Sequence, residues 1–426
     1  MSLTINTLYI NILSYTMKHL KAQLYFGLTT LAVVIAGFSL NAQKNLPMSV
    51  YHIYAGSTHA HTAYTWSHGS QYDDAKEGGI LIDSQNVAHP KNRTPKADWQ
   101  KYQGFPPDHY AAAKANGYDF YVTTDHSQEA AFHPTNPINE AWLATHKAAS
   151  EASNSNFVAL VGFEYSENNG PGGKGHINVI NSASYLNALE TGIDLSYLYK
   201  WLDTVRSDGN GPVVATFNHP GAAQYNNWTD RDPKVTDIIT MLEVINSNKN
   251  IHYEGFLKAL DAGWRVSPVA GNDNHGLNGI KAQTSRTFVL ATSKTKAAIL
   301  DAMKNRRTYA SLDQNIQCRY SVNGKIMGST LNDAKEFKFD ISISDSDTNN
   351  PKDKITKIDI VKDGGEVVQT YNPTPGYSVK WSPTITGSIS TNKYFFVRVW
   401  NAGGGDAPGA DPSKPVAWLA PVWTGR

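Results

Sequence analysis

The stretch Tyr118–His126, YDFYVTTDH, decides the fold class of this chain. Its first seven residues are mostly aromatic and β-branched, which is typical of a buried strand. An aspartate and a histidine follow directly, at the point where that strand should end. The preceding segment Pro107–Asn116, PDHYAAAKAN, is predicted to be a helix. A helix next to a buried strand indicates one unit of an α/β fold.

The same alternation of short apolar strands and helical segments continues from residue 50 to about residue 310. Further strands are predicted at Phe157–Phe163, Val213–Phe217 and Val266–Ala270, and further helices at Ser196–Ser207 and Lys294–Lys304. Alternation of this kind implies a parallel sheet, and a length of about 250 residues suits a closed barrel.

From about Ile316 onward the pattern becomes all-β, with turn clusters such as Asp363-Gly364-Gly365 between the strands. The predicted strands are Glu336–Ser344, Ile355–Lys362, Val367–Tyr371, Tyr377–Trp381 and Tyr394–Trp400. We therefore predict a small β-sandwich at residues 313–426, after a barrel at residues 43–312. The Gly/Pro/Asp-rich segment Gly403–Pro415 is interpreted as a connection rather than a site.

The first 42 residues have the features of a secretory signal. They contain no Asp or Glu, and the basic segment Met17–Lys21 precedes an apolar run at Leu24–Leu40. Cleavage is predicted after Ala42, and Met17 is an alternative start. A retained membrane anchor is the other interpretation, since the apolar run is near the lower limit for a bilayer span. We predict export to the periplasm or the cell exterior, with no stable membrane span if the signal is cleaved.

The composition excludes several classes of protein. Lys and Arg number 38 against 37 Asp and Glu, a formal net charge of +1, so no nucleic-acid binding through phosphate neutralisation is expected. The single cysteine, Cys318, excludes a disulfide scaffold and a Cys-rich zinc site. Hydrophobic residues make up 40% of the chain, which is enough for a sizeable core.

Metal-compatible side chains stand at the ends of the predicted barrel strands, in order along the chain. They are His59 and His61, Asp125 and His126, Glu164, His176, His219, and Asp273 and His275. One such group alone is more often a turn or a solvated residue. A series of them at the carboxyl ends of parallel strands would converge on one mouth of a barrel. Imidazoles and carboxylates gathered there predict a multinuclear metal site.

The ordered motifs HxH, TDH, GFE, GHxN, NHP and GxDxH resemble the PHP (polymerase and histidinol phosphatase) superfamily of metal-dependent hydrolases. The resemblance covers about residues 50–312 and implies a distorted (β/α)7-type barrel. The segments SRTFV at Ser285–Val289, RRTYAS at Arg306–Ser311 and AWLAPVW at Ala417–Trp423 are similar to the CehA/McbA-type branch. The chain departs from the superfamily at Ser57-Thr58, where Asp-Leu is usual.

The resemblance implies two or three divalent ions, Zn, Mn or Fe. The first would be held by His59, His61, Glu164 and Asp273, the second by Glu164, His176 and His219, and a third by His126 and His275 with His68 or Asp125. Glu164 would bridge two ions, and Glu164 and Asp273 are the implied catalytic carboxylates. A metal-activated hydroxide would carry out the hydrolysis.

Several other polar residues are candidates for a role in the site, and each also has an ordinary structural or surface interpretation. Lys174, Arg231 and Arg286 are candidates for binding an anionic substrate, but exposed cations are common on any protein. Glu243 is interpreted as a partner that orients a metal-binding histidine. The insertion at residues 68–106 could cover the mouth of the barrel or form a solvated loop. The histidines interpreted as structural or superficial are His52, His109, His133, His146 and His252.

Three functions remain open. The favoured one is an exported phosphoesterase acting on a small or polymeric ester that carries negative charge. The second is a carbamate, amide or ester hydrolase at the same metal site, which the CehA/McbA similarity suggests. The third is a surface binding protein with a vestigial barrel, in which the appended β domain recognises a ligand through Trp381, Trp400, Trp418 and Trp423.

Overall fold

The computed structural model describes residues 47–73, 78–167, 174–205, 211–248, 250–332, 334–388 and 392–425. The predicted signal at residues 1–42 lies outside the described residues. The chain divides into two compact units, residues 1–50 and residues 51–426, and the strands and helices given below belong to the second. Among the described helices, none has the length and apolarity needed to cross a bilayer.

Strands and helices alternate up to residue 311. The strands are β1 His52–Ser57, β2 Gly79–Ile82, β3 Ala88–Lys91, β4 Phe120–His126, β5 Val158–Glu167, β6 Gly175–Ile180, β7 Val214–Asn218, β8 Ile239–Asn246, β9 Asn250–Ile251, β10 Ser267–Gly271, β11 Arg286–Ala291 and β12 Thr308–Ser311. The helices are α1 Pro106–Ala115, α2 Glu140–Ala152, α3 Leu195–Thr204, α4 Pro233–Thr236, α5 Tyr253–Asp261, α6 Leu277–Ala282 and α7 Lys296–Lys304. The segment Gln224–Asn227 is a single turn with left-handed backbone at Tyr225 and Asn226.

The remaining described residues are almost entirely strands and turns. The strands are β13 Gln317–Val322, β14 Lys325–Ile326, β15 Thr330–Leu331, β16 Glu336–Ser344, β17 Ile355–Lys362, β18 Val367–Tyr371, β19 Ser378–Trp381, β20 Thr384–Thr386, β21 Tyr394–Asn401, β22 Ala417–Leu419 and β23 Val422–Thr424. The α/β class of the first part and the extra β-sheets of the second are therefore confirmed.

The main sheet begins with the strand order β10-β8-β7-β6-β5-β4-β1-β11-β12. Strand β4 is parallel to β1 and β5, and β8 is parallel to β7 and β10. Strand β6, however, is antiparallel to both of its neighbours, and β11 is antiparallel to β1. The expectation of a wholly parallel sheet was wrong, because the connection from β5 to β6 at residues 168–174 is too short for a helical crossover.

The sheet curls until its edge strand β10 lies beside β11, and a threonine side chain joins the two strands. Thr287 Oγ1 accepts the backbone N–H of Ala270 at 2.7 Å and donates to the carbonyl of the same residue at 2.8 Å. Just beyond β10, the N–H of Asp273 donates to the carbonyl of His59 at 3.0 Å. These contacts bring the end of β10 against the end of β1, so the ends of strands that are far apart in the sheet order meet.

The core of the curled sheet lies at the opposite end from those strand termini. It contains residues near the starts of the parallel strands, such as Phe120, Leu160 and Val214, all buried. Helix α7 contributes Ile299 and Met303 to the same core and contacts β5, β7, β8 and β11. Because α7 contacts strands from several parts of the curled sheet, it covers this end and leaves the other end for polar side chains.

The main sheet continues into the second half of the chain. Strand β12 pairs with β22, and the order then runs β22-β21-β17-β18. A second sheet has the order β14-β13-β16-β19, with β20 also on β16. Phe337 and Phe339 of the second sheet contact Phe395 of β21, with ring centroids 4.7 and 5.8 Å apart. The two sheets therefore share an apolar interior.

The tryptophans behind the surface-binding hypothesis lie mainly in the interior. Trp400, Trp418 and Trp423 are buried, and Trp381 is partly buried against Tyr371 with stacked rings. Their burial explains the aromatic content of the last strands by packing. An exposed aromatic surface built from these four residues is not present among the described residues.

Candidate metal centre

Glu164 on β5 is the centre of a cluster of histidines. The carboxylate is only 1% exposed. Its Oε1 lies 3.3 Å from His59 Nε2, 3.1 Å from His176 Nδ1 and 3.5 Å from His219 Nε2. Its Oε2 lies 2.8 Å from His126 Nε2 and 3.5 Å from His61 Nε2. One carboxylate thus reaches five imidazoles from the ends of four strands, β1, β4, β6 and β7, as a bridging ligand must.

Asp273 places a second carboxylate against the same histidines. It follows β10, and its Oδ1 lies 3.5 Å from His59 Nε2 and 3.2 Å from His61 Nε2. The backbone of Asp273 is left-handed, with φ of 48°, a conformation that Asp tolerates better than most residues. This turn directs the side chain back over the end of the strand, so that Glu164 and Asp273 approach the histidines together.

His68 and His275 extend the cluster next to His61 and His126. The ring of His275 stacks on that of His61 with centroids 4.1 Å apart, and His68 lies 4.3 Å from His275. His126 Nδ1 and His275 Nε2 are buried and have no hydrogen-bond partner in the described structure. Buried unpaired ring nitrogens are rare unless a ligand or water satisfies them.

The donor set fits divalent transition-metal ions. His59 Nδ1 lies 2.8 Å from Glu243 Oε1, and His61 Nδ1 lies 3.3 Å from the hydroxyl of Thr65, which itself donates to Asp125. With these partners, both Nε2 atoms carry lone pairs in the neutral rings, and they face each other at 3.0 Å. A cation, either a proton or a metal ion, must therefore lie between them, and several groups of His and Glu here could hold one.

The pKa shifts of His59 and Glu164 also indicate that the carboxylates of this cluster require positive charge nearby. Although burial acts to lower it, Asp273, Glu243 and Glu164 raise the pKa of His59 well above its usual value. Burial likewise acts against ionisation of Glu164, but His59 and His176 hold the pKa of this carboxyl well below its usual range. Without an ion, histidine protons thus supply the charge that the carboxylates require, and a bound metal would replace them.

Glu243 on β8 orients two histidines at once. Its Oε1 meets His59 Nδ1, and its Oε2 accepts the backbone N–H of His219 at 2.8 Å. Asn246 Nδ2 connects Glu243 to the cluster, because it donates to Glu243 Oε2 at 3.1 Å and to Asp273 Oδ2 at 3.0 Å. A carboxylate behind a metal-binding histidine fixes the ring and raises its basicity.

We expect Glu243→Gln to weaken metal binding by about 10–100-fold, the usual cost of losing such an orienting carboxylate. The amide retains the shape of the side chain but not the charge that supports His59. Metal titration of chelator-treated protein measures the effect. Glu254→Gln on α5, which changes an exposed residue, is the matched control. Unchanged affinity in Glu243→Gln would contradict the orienting role.

Asp125 lies behind the cluster. Its Oδ1 accepts from the backbone N–H groups of Thr62 and Thr65 and from Thr65 Oγ1, and its Oδ2 accepts from Thr62 Oγ1, all at 2.6–3.2 Å. Burial raises the pKa of Asp125 to about 6 against these hydrogen bonds. The structure therefore connects Asp125 to His61 through Thr65 and places it outside the ring of imidazoles.

Sequence reasoning missed two polar residues that contact the cluster. Glu129 is buried, accepts from Ser67 at 2.6 and 2.9 Å, and forms a possible donor group with His68 and His126. Asn218 donates from Nδ2 to Glu164 Oε1 at 2.8 Å. Asn218 stands in the NHP motif and could have been found there. Glu129 lies in a loop and belongs to none of the motifs that were recognised in the sequence.

The three candidate substrate cations lie apart from the histidines in their described contacts. Lys174 is half-exposed and its Nζ lies 3.3 Å from Glu167 Oε1, while Arg231 is exposed. Arg286 is buried, with its guanidinium 3.8 Å above the ring of Tyr118. Within the described part of the chain, none of the three has an ion pair with the cluster.

The insertion at residues 68–106 contacts two of the segments that carry cluster histidines, the one after β10 and the one after β1. Ser70 donates its N–H to the carbonyl of His275 at 2.7 Å, and Gln103 donates from Nε2 to the carbonyl of Thr62 at 2.9 Å. Between these points it forms the β2–β3 hairpin, whose residues Ile80–Ile82 are exposed. The insertion is therefore anchored beside the cluster at both of its ends.

No protein-family model matches the chain, and no curated protein matches it either. Among solved structures, the chain is similar to a two-domain protein from Bacteroides vulgatus that contains a predicted PHP-like metal-dependent phosphoesterase. The two sequences are 16% identical, the TM-score is 0.44, and the match covers 88% of this chain and 97% of the other. It is also similar to a lesion-specific endonuclease from Pyrococcus furiosus, with 12% identity, a TM-score of 0.34, and coverage of 59% and 56%.

The ordered motifs that resemble those of the PHP superfamily meet in one cluster, as the resemblance implies. All six motifs contribute: HxH, TDH, GFE, GHxN, NHP and GxDxH each place a histidine or carboxylate there. The narrower similarity to the CehA/McbA-type branch stays a prediction.

Proposed function

We propose that this protein is an exported metal-dependent hydrolase of the PHP type that cleaves phosphoesters. The observation that carries the proposal is the position of Glu164, whose two oxygens lie within 3.5 Å of five imidazole nitrogens. Asp273 adds a second carboxylate on the same side. This mixture of imidazole and carboxylate supports two or three ions of Zn, Mn or Fe.

The proposed architecture is a distorted (β/α)7-type barrel at residues 43–312 and a β-sandwich at residues 313–426. The barrel is supported by the curl of the main sheet, in which the side chain of Thr287 joins β11 to β10. The contacts of Phe337 and Phe339 with Phe395 support the sandwich. Export rests on the apolar and basic pattern of residues 1–42.

Bound divalent ions would lower the pKa of water to about 7 and stabilise charge during an in-line displacement at phosphorus. The protein's own residues prepare the site for this chemistry. Glu243 and Thr65 hold His59 and His61 with their Nε2 atoms towards the cluster. Asn218 donates to Glu164 and keeps its carboxylate between the histidines.

Asp273 is the carboxylate to which we assign proton transfer. Its side chain is 22% exposed, whereas that of Glu164 is 1% exposed, so substrate and water can approach Asp273 more readily. Asn246 binds Oδ2 and leaves Oδ1 on the histidine side. Lys174, which directly precedes β6, and Arg231 are exposed, and we assign to them the attraction of a small or polymeric anionic ester.

The test is elemental analysis of the purified protein, with assays on bis(p-nitrophenyl) phosphate and p-nitrophenyl phosphate. We expect two or three ions per chain and turnover that a chelator abolishes and Zn²⁺ or Mn²⁺ restores. Bound metal with hydrolysis of aryl carbamates or esters alone would replace the phosphoesterase by the second function. No metal after reconstitution would overturn the proposal of a metal-dependent hydrolase.

A further inference from the structure

Four aspartates converge in the second half of the chain and share no residue with the histidine cluster. This aspartate cluster consists of Asp313, Asp345, Asp353 and Asp406; Asp353 and Asp406 line one cavity, and Asp313 and Asp345 act on their neighbours in the cluster. They come from three connections: Asp313 follows β12, Asp345 and Asp353 lie between β16 and β17, and Asp406 is in the loop after β21. Asp406 joins two of these segments, because its N–H donates to Leu312 and its Oδ2 accepts from the N–H of Gln314 at 2.8 Å.

Three of these carboxylates are buried without a positive partner. Asp313, Asp345 and Asp353 are 0%, 5% and 3% exposed. The basic side chains around the cluster have other partners. Lys357 and Arg398 both contact Asp359. Arg286 lines the same cavity as Asp353 and Asp406, but its guanidinium lies over Tyr118 and donates to Gln314 Oε1 at 3.2 Å. Among the described residues, no Lys or Arg forms an ion pair with the aspartate cluster. Buried carboxylates that lack a cation are strongly unfavourable.

Asp345 gives an independent indication of a missing ligand. Its Oδ1 accepts the N–H of Asp347 at 2.8 Å, but its Oδ2 is buried and has no hydrogen-bond partner in the described structure. Burial raises the pKa of Asp345, and Asp406 and Asp347 act in the same direction as like charges, whereas a side-chain hydrogen bond with Asp313 lowers it. An anionic oxygen that faces other carboxylates instead of donors needs a cation.

Burial and the repulsion between neighbouring carboxylates both disfavour ionisation within the cluster. Burial, together with Asp406 and Asp345, raises the pKa of Asp313 to about 8. Burial and Asp345 raise the pKa of Asp353 to about 6. A divalent cation among these groups would relieve the repulsion and let all four carboxylates ionise.

The donor chemistry selects a hard cation. Every side-chain donor of the aspartate cluster is a carboxylate oxygen, with no histidine or cysteine among them. A cavity of about 430 Å³, lined by Asp353, Asp406, Gln314 and Asn315 among others, gives access and offers further amide oxygens and room for water. Ca²⁺ takes six to eight oxygen ligands in flexible geometry, whereas Mg²⁺ demands a near-ideal octahedron.

We propose that the aspartate cluster is a Ca²⁺ site that fastens the loops after β16 and β21 to the end of β12. The ion would hold together the β12–β13 and β16–β17 connections, each of which passes between the main sheet and the second sheet, and the loop after β21. This site is independent of the proposed hydrolase function. It also gives the segment Gly403–Pro415, interpreted from sequence as a connection, the role of supplying Asp406 as a ligand.

The test uses the full chain after chelator treatment, titrated with CaCl₂ by calorimetry and followed by thermal unfolding. We expect saturable binding and a rise in the midpoint of thermal unfolding, with Mg²⁺ less effective. Asp345→Asn and Asp353→Asn should each weaken Ca²⁺ binding by at least about tenfold, because each removes a charged ligand. Asp340→Asn, an exposed aspartate on β16, is the matched control, and His61→Ala should leave Ca²⁺ binding unchanged.

Three results would overturn the proposal. The first is the absence of any heat or midpoint shift in the unmodified protein at about 10 mM Ca²⁺, well above the range of weak extracellular sites. The second is unchanged affinity in both asparagine variants, and the third is loss of Ca²⁺ binding in His61→Ala. Because the first result needs no variant, the proposal stays testable even if one substitution prevents folding.

Discussion

Replacing Glu164 with alanine is expected to abolish hydrolysis and to remove bound metal. The carboxylate contacts five histidines from the ends of four strands, so its loss should affect more than one ion at once. We therefore expect kcat to fall by more than the about 10–100-fold that follows loss of an orienting partner. Elemental analysis should show fewer ions per chain, and phosphoester turnover measures the activity.

The matched control for this variant is Glu167→Gln. Glu167 is on the same strand, three residues further on, and its side chain contacts Lys174 and Tyr165 instead of the histidines. This control should keep both metal and activity. Circular dichroism of both variants distinguishes loss of the site from loss of the fold. Full activity with unchanged metal content in Glu164→Ala would contradict the bridging role.

A chain that ends at Asp313 is expected to lose cooperative folding. The truncation removes β22, which pairs with β12 through Leu419 opposite Tyr309. Tyr309 is fully buried and stacks on Phe288 of β11 with centroids 4.6 Å apart, so this aromatic pair would be exposed. Each large apolar side chain contributes on the order of 1.5–3 kcal/mol when buried. If several such side chains along β11 and β12 become exposed, the lost free energy is comparable to the about 5–15 kcal/mol that stabilises a typical domain.

Soluble yield and thermal unfolding by circular dichroism measure the effect of the truncation. A chain of residues 43–426, which lacks only the predicted signal, is the control and should unfold cooperatively. If the truncated chain is soluble, unfolds in one sharp transition and binds metal, then residues 43–312 fold alone and β22 is dispensable. That result would contradict our expectation and establish an independent barrel domain.

Much of the site could be predicted because its residues occupy local sequence patterns. A buried strand such as YDFYVTT is recognisable from its composition, and the polar residues that follow it indicate its carboxyl end, which the structure extends to His126. His126 and Glu164 were found in this way. Glu129 could not be found, because it lies in an irregular loop and becomes significant only through its contact with Ser67 and its closeness to His126.

The sequence by itself determined the positions of most strands and the order of the metal-compatible motifs, because both depend on residues that are neighbours in the chain. The tertiary structure decided the direction of β6, the burial of Arg286 against Tyr118, and the meeting of the aspartate cluster. These features depend on contacts between residues far apart in sequence. Periodicity and composition carry no information about such contacts, since side chains separated by tens of residues meet only after the sheet has curled.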